Sequence, residues 1–304
     1  MKIDQLTFVN AFNFKKSYQK FVLKIGGLSL KLRTDEPAIF AFVKQRFAQF
    51  LSAESEADYV FDIFVSPDLS YHSPNPDESF FNRQEFTAEI NFIYGNGYAG
   101  YLHKKSKIGR VVVSSNLAET WLEHFLRFAF SWLALDNNCL FFHGAGVIKD
   151  RKGYVFFGPS NAGKTTITEF SSQHLIVGDD MILISRNEKK YLVHATPFNI
   201  NLDDKKLTNA SESIEGFYRL RQDKENYAIE MKNSKAVAEL LSCVPLSPNN
   251  VQGHLAAFSL CAKLAQRVPC YDLHFTRDNK FWRLIDEDFG KVPCQKSRNC
   301  LANY

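Results

Sequence analysis

Three stretches of this chain carry residue types that could do chemistry: the glycine-rich run GPSNAGKTT at 158–166, the adjacent carboxylates Asp179-Asp180, and His143 at the end of an apolar stretch. Gly158-Pro159-Ser160-Asn161-Ala162-Gly163-Lys164-Thr165 satisfies the pattern G-x-x-x-x-G-K-[ST], and Thr166 follows it. Glycines let the backbone curl so that successive N–H groups point at phosphate oxygens. A helix starting at such a loop adds the positive end of its dipole. Lys164 would reach the β- and γ-phosphates of a nucleotide, taken as ATP, and the Thr165 hydroxyl would ligate Mg²⁺. The run sits between an apolar strand, YVFF, and a helix-forming segment, the context in which this pattern holds phosphate.

Asp179 and Asp180 are flanked by LIV and MILI, so the reading is a buried strand in which neighbouring carboxylates are costly unless paired or metal-bound. An unbroken strand would send them to opposite faces, and Gly178 suggests a bend that aims both one way. One would ligate Mg²⁺ while the other takes a proton from a hydroxyl nucleophile, the assignment between them staying open. A solvated turn between two strands is the competing reading. His143 is expected on the strand paired with the one that feeds the loop, where Gly144 leaves room for a ligand. On residues alone an active-site role and a structural one stand equal for it.

The positioning elements are legible in outline. YQKFVLKIGGLSLKLR gives two alternating segments around Gly26-Gly27, a hairpin. TDEPAIFAFVKQRFAQFL predicts a helix capped by Thr34. DYVFDIFVS alternates as a strand, SPDLSYHSPNPDES is a loop, and two or three strands follow between Gln84 and Ser114. Asn116 with Glu119 predicts a capping pair for a helix over 117–135 that bridges two halves packed on each other. CLFFHGAGVI, YVFFG, LIVGDDMILIS and YLVHATPF are β segments around one short helix from Lys164 to about Ser172.

With 304 residues, 45% hydrophobic, the chain can bury one large core or two modest ones. A net charge of +4 without a basic stripe gives no case for nucleic acid. Glu119, Glu123 and Arg127 argue against a membrane span over 117–136. The start MKIDQLTFVN lacks an apolar core of signal-peptide length, and the six cysteines have no CxxC pairing; both read as a cytoplasmic protein with reduced thiols.

FFHGAGVIKDRKGYVFFGPSNAGKTT, then GDD, VHATPF and VPCYDLHFTRDNKFWRLID, together resemble the HPr kinase/phosphorylase-like proteins, over roughly residues 115–290. The resemblance implies an α/β protein, α+β overall. Its parts would be a smaller α+β N-terminal domain (1–115), a P-loop kinase domain of the HPr-kinase/phosphoenolpyruvate-carboxykinase type with a mixed sheet (116–290), and a tail (291–304). It implies that Lys164 and Thr165 handle phosphate and Mg²⁺, that Asp179 and Asp180 supply metal ligation and the base, and that His143 lies near the transferred phosphate. Thr196-Pro197-Phe198 matches a motif of the shorter paralogues and stays outside the catalytic set. The family's phosphorylase-associated glycine-rich stretch is not recognisable after VHATPF. The expected activity is transfer of the γ-phosphate of ATP, with Mg²⁺, to a hydroxyl of a protein, peptide or small molecule. The alternative is a nucleotide-binding regulator or slow NTPase. The acceptor, and whether the chain forms a homo-oligomer, stay open.

Overall fold

The structure, a computed structural model, describes residues 3–69, 82–199 and 208–287. A short helix α1 (Ile3–Asn10) precedes a first, mixed eight-stranded sheet. Its elements are β1 (Gln19–Ile25), β2 (Leu28–Thr34), α2 (Pro37–Arg46), a 3₁₀ turn (Ala48–Phe50), β3 (Leu51–Ser52), β4 (Tyr59–Ser66), β5 (Asn82–Phe86), β6 (Ile90–Gly95), β7 (Tyr98–His103) and β8 (Ile108–Ser114). Strand order is β3-β1-β2-β4-β8-β7-β6-β5, with β2, β4 and β8 parallel and the other pairs antiparallel. Period-two alternation sorts the faces. Phe61, Ile63, Val111 and Val113 face α2 and the main core, whereas Phe64, Phe92 and Val112 join Val9 of α1 in a smaller cluster.

Helix α3 (Ala118–Asp136) leads into the second sheet: β9 (Leu140–His143), β10 (Ala145–Lys149), β11 (Lys152–Phe157), α4 (Lys164–Phe170), β12 (Leu175–Gly178), β13 (Met181–Asn187), β14 (Lys190–His194), β15 (Ser211–Gln222), β16 (Tyr227–Glu230), α5 (Asn233–Leu241), α6 (Val251–Ala265), β17 (Cys270–Phe275) and α7 (Phe281–Asp286). This sheet too is mixed, so the fold is α+β. The long β15 joins its parts: Ser211–Ser213 pair with β14, while the rest runs parallel to β11 on one side and β17 on the other. Tyr154, Phe156, Tyr218 and Leu220 face α4 and α7. Val155, Phe157 and Phe217 face the main core, which continues without a break into that of the first sheet. Helix α3 lies between the sheets and is most fully buried over Ala129–Ala134, with Phe125 5.4 Å from the Phe61 ring and Phe130 5.4 Å from that of Phe141.

Four local expectations are corrected. Thr34 does not cap a helix: it is still paired with Gln19 in the sheet, and α2 starts three residues later at Pro37, a residue suited to a first turn. Asn116 and Glu119 do not cap α3. The chain turns out of β8 through Leu117 in the left-handed region (φ 61°), and the Asn116 carbonyl accepts the Trp121 indole N–H instead. Between Asn82 and Ser114 there are four strands, not two or three. CLFFHGAGVI is two strands broken at Gly144. The loop expected over 66–79 and the tail over 291–304 fall largely or wholly outside the described residues. Among the described residues no helix is long and apolar enough to cross a membrane, and Cys139, Cys243, Cys261 and Cys270 are free and buried.

His194 ties the two sheets together. It is 8% exposed, its Nε2 is 2.7 Å from the Ser185 hydroxyl, and the Gly26 turn of the first sheet packs over its ring. Burial pushes its pKa down to about 4, so the folded state holds a neutral imidazole. The unfolded chain therefore binds the extra proton first, and stability is lost as pH falls from about 6.5 towards about 4. Urea unfolding of wild type against His194→Gln should show the wild type losing about 3 kcal/mol more between pH 7 and pH 4.

Candidate functional site

The site is built where two neighbouring segments pass from one part of the second sheet to another at the same level. β9 pairs with β13, placing His143 opposite Met181; one residue on, β10 pairs with β12, placing Gly146 opposite Gly178. The Gly144 N–H donates to the Asp180 carbonyl at 3.0 Å, locking the two crossovers together. Asp179-Asp180 is thus neither mid-strand nor a solvated turn. It is the link between β12 and β13, with Asp179 buried and Asp180 half-buried. His143 is correspondingly not on the strand that pairs with β11, which is β10; it ends the strand before it. Gly178 is required by the close approach: a Cβ there would lie 2.5 Å from Ile182 Cγ2 and 3.1 Å from Asn199 Oδ1.

The glycine-rich run leaves the end of β11 and enters α4, as its spacing predicts. Gly163 holds φ 112° and sits against the Phe275 ring, where a Cβ would be 2.6 Å from Cζ. Asn161 is also left-handed (φ 63°), and its carbonyl accepts the Gln222 side-chain amide from the end of β15 at 3.0 Å. Pro159, Ser160, Asn161 and Thr165 are exposed; Ala162, Gly163, Lys164 and Thr166 are half-buried; Gly158 is buried. Lys164 Nζ curls back to donate to the Gly158 and Pro159 carbonyls at 3.1 and 3.3 Å. The first N–H groups of α4 have no partner within the helix.

Charge gathers around Asp180. Arg127 Nη1 donates to its Oδ2 at 2.8 Å, and His143 Nε2 lies 3.4 Å from its Oδ1. Burial lowers the His143 pKa, Lys164 and Arg127 lower it further, and Asp180 opposes them, so the imidazole is neutral at neutral pH. Burial likewise lowers Lys164, against the pull of Cys243 and Asp180. Among the expected site residues, then, His143, Lys164 and Asp180 share one electrostatic neighbourhood.

The sequence reading gave no site role to Asn199, Thr196, Arg127, Glu123 or Cys243. Asn199, 1% exposed, accepts at its Oδ1 the backbone N–H groups of Asp179, Asp180 and Met181 (3.0, 3.1 and 3.3 Å) and donates from Nδ2 to the Thr196 carbonyl. Thr196, buried beside it, donates its hydroxyl to the Met181 carbonyl at 2.6 Å, so the TPF motif forms the floor under the acid link. Arg127 and Glu123 stand one turn apart on α3. Glu123 pairs with Arg46 of α2, which also donates to the Asn199 carbonyl at 3.1 Å. Two charged residues at i, i+4 in a largely apolar helix were the available signal. Cys243, after α5, is the last. Its carbonyl accepts the His143 N–H at 2.8 Å, and burial raises its thiol while the Ser242 hydroxyl, Lys164 and the Gly158 N–H pull the other way.

Among the described residues no three His, Cys, Asp or Glu side chains gather closely enough to form a protein-only metal cage. The oxygen donors Thr165, Asp179 and Asp180 suit a hard cation such as Mg²⁺, which commonly keeps one or two carboxylates and takes its remaining ligands from phosphate and water.

Fold and site together define an α+β protein with a glycine-rich phosphate-type loop beside a buried acid link. Residues 124–290 match the family SynChlorMet cassette protein ScmC, and the chain belongs to that family. No curated protein matches it. Among solved structures it is similar to the Hpr(Ser) kinase/phosphatase from Coxiella burnetii, at 13% identity and a TM-score of 0.28, over 48% of this chain and 94% of that one. A superposition this loose carries no weight for fold or activity, and the site stands on its own residues.

Replacing Asn199 by Ala leaves three buried N–H groups without their acceptor. Chemical denaturation should show a loss of about 2–4 kcal/mol.

Proposed function

We propose that the protein is an ATP-dependent, Mg²⁺-requiring kinase with a P-loop kinase domain, transferring the γ-phosphate to a hydroxyl of a protein, peptide or small molecule. The observation that carries this reading is the pairing of His143 and Arg127 with the Asp180 carboxylate, in the electrostatic neighbourhood of Lys164 of the glycine-rich loop. A structural loop needs no such arrangement, whereas phosphoryl transfer needs positive charge for the phosphates and a nearby proton acceptor.

In this reading the loop over 158–166 cradles the phosphates with its backbone N–H groups, and Lys164 turns from its loop carbonyls to the β- and γ-oxygens. The acceptor oxygen attacks the γ-phosphorus in line. The bond from that phosphorus to the bridging oxygen breaks, and ADP leaves. The acceptor's proton passes to Asp179 or Asp180. Thr165 and the acid link would hold Mg²⁺, which would supply charge neutralisation at the phosphates. His143, kept neutral by its surroundings, can accept a hydrogen bond from the acceptor hydroxyl or orient the carboxylate it faces. The alternative, a nucleotide-binding regulator, uses the same loop without an acceptor.

With γ-labelled ATP, Mg²⁺ and lysate fractions of the host, label should appear on one acceptor and vanish with Lys164→Ala. Asp179→Asn and Asp180→Asn should each cut transfer by at least about a hundredfold while ATP affinity stays within about threefold. ATP bound with no acceptor labelled in any fraction would establish the regulator instead.

A further inference from the structure

Arg127 is held more loosely than the rest of the acid link. Asn199, with its three accepted N–H groups, and Arg46, on the Asn199 carbonyl, already fix the backbone of 179–181. Arg127 adds one strong contact, Nη1 to Asp180 Oδ2 at 2.8 Å, and one at the limit, Nη2 to the Phe198 carbonyl at 3.4 Å. A guanidinium has five donors, so most of its capacity is unspent. Its side chain is 23% exposed, and its charge acts on His143, as that of Lys164 does.

The partner it does have is a single carboxylate oxygen, which engages one edge of the guanidinium. The remaining donors belong to a part-exposed cation whose charge is felt at His143 together with that of Lys164. Phosphate offers several oxygens that match the planar fork of an arginine.

We propose that Arg127 is a binding residue for the terminal phosphate of the nucleotide, parked on Asp180 until that phosphate arrives. The inference rests on the reading of the glycine-rich loop as an ATP site. It makes helix α3, which lies between the two sheets, the supplier of a phosphate-binding cation from outside the loop. It also predicts discrimination between triphosphate and diphosphate through a residue that has no part in the glycine-rich pattern.

The test is binding, not turnover: titration calorimetry of ATP and of ADP, each with Mg²⁺, on wild type, Arg127→Gln and Arg127→Lys. Arg127→Gln should weaken ATP by about tenfold and leave ADP within about twofold, since one charge-assisted contact is lost only where the terminal phosphate exists. Arg127→Lys, which keeps the charge without the fork, should show a smaller loss of the same selectivity. Equal losses for ATP and ADP, or none for either, would overturn the inference. If Arg127→Gln does not fold, the lysine variant decides by the same criterion. Wild type that binds neither nucleotide would overturn the loop reading itself, and this inference with it; wild type that binds both leaves the loop reading standing whatever the variants show.

Discussion

The site depends on the paired strand switch, in which two antiparallel chains leave one part of the second sheet and enter another at the same level. The hydrogen bond from Gly144 N–H to the Asp180 carbonyl joins the two switches. Without the break at Gly144 and the one after Gly178, β9–β10 and β12–β13 would be continuous strands, and Asp179 and Asp180 would point to opposite faces. With it, the acid link comes to rest beside His143. A buried polar link of this kind must satisfy its own backbone groups, and Asn199 does so by gathering three N–H groups onto one oxygen. The constraint runs outward: Asn199 needs Thr196 beneath it and Arg46 behind it, so the site is braced from the first sheet's side of the molecule.

Electrostatics follow from that placement. Burial, with the nearby cations Lys164 and Arg127, keeps the histidine neutral, and burial lowers the lysine, while the Asp180 carboxylate pulls against both. Among the described residues Lys164 has loop carbonyls as its hydrogen-bond partners. In the proposed function a phosphate would displace them at little cost.

The loop was legible because its chemistry is local: the glycine spacing fixes backbone geometry whatever surrounds it, and β11, the loop and α4 follow one another in the chain. The acid pair was legible as buried and bent for the same reason. His143 was placed one strand off because a glycine between apolar residues reads equally as strand interior or strand break, and only pairing with β13 decides it. Asn199 and Arg127 could not be reached from local pattern. Their partners lie 18 to 20 and 53 residues away, and an asparagine after TPF or an arginine in an apolar helix has many ordinary explanations. The helix caps failed where a sheet held the expected cap residue, as with Thr34, or where the exit from a strand demanded a left-handed residue, as with Leu117. The 12-residue β15, which ties both parts of the second sheet, went unread because its polar and charged residues interrupt any simple alternation.

The central claim is that the loop over 158–166 and the acid link form one nucleotide site. A crystal structure with a non-hydrolysable ATP analogue and Mg²⁺ tests it most directly. The account predicts the phosphates within the loop, Lys164 released from the Gly158 and Pro159 carbonyls, and the terminal phosphate facing Asp180 and His143. An analogue bound elsewhere, or one whose terminal phosphate points away from the acid link, would contradict it.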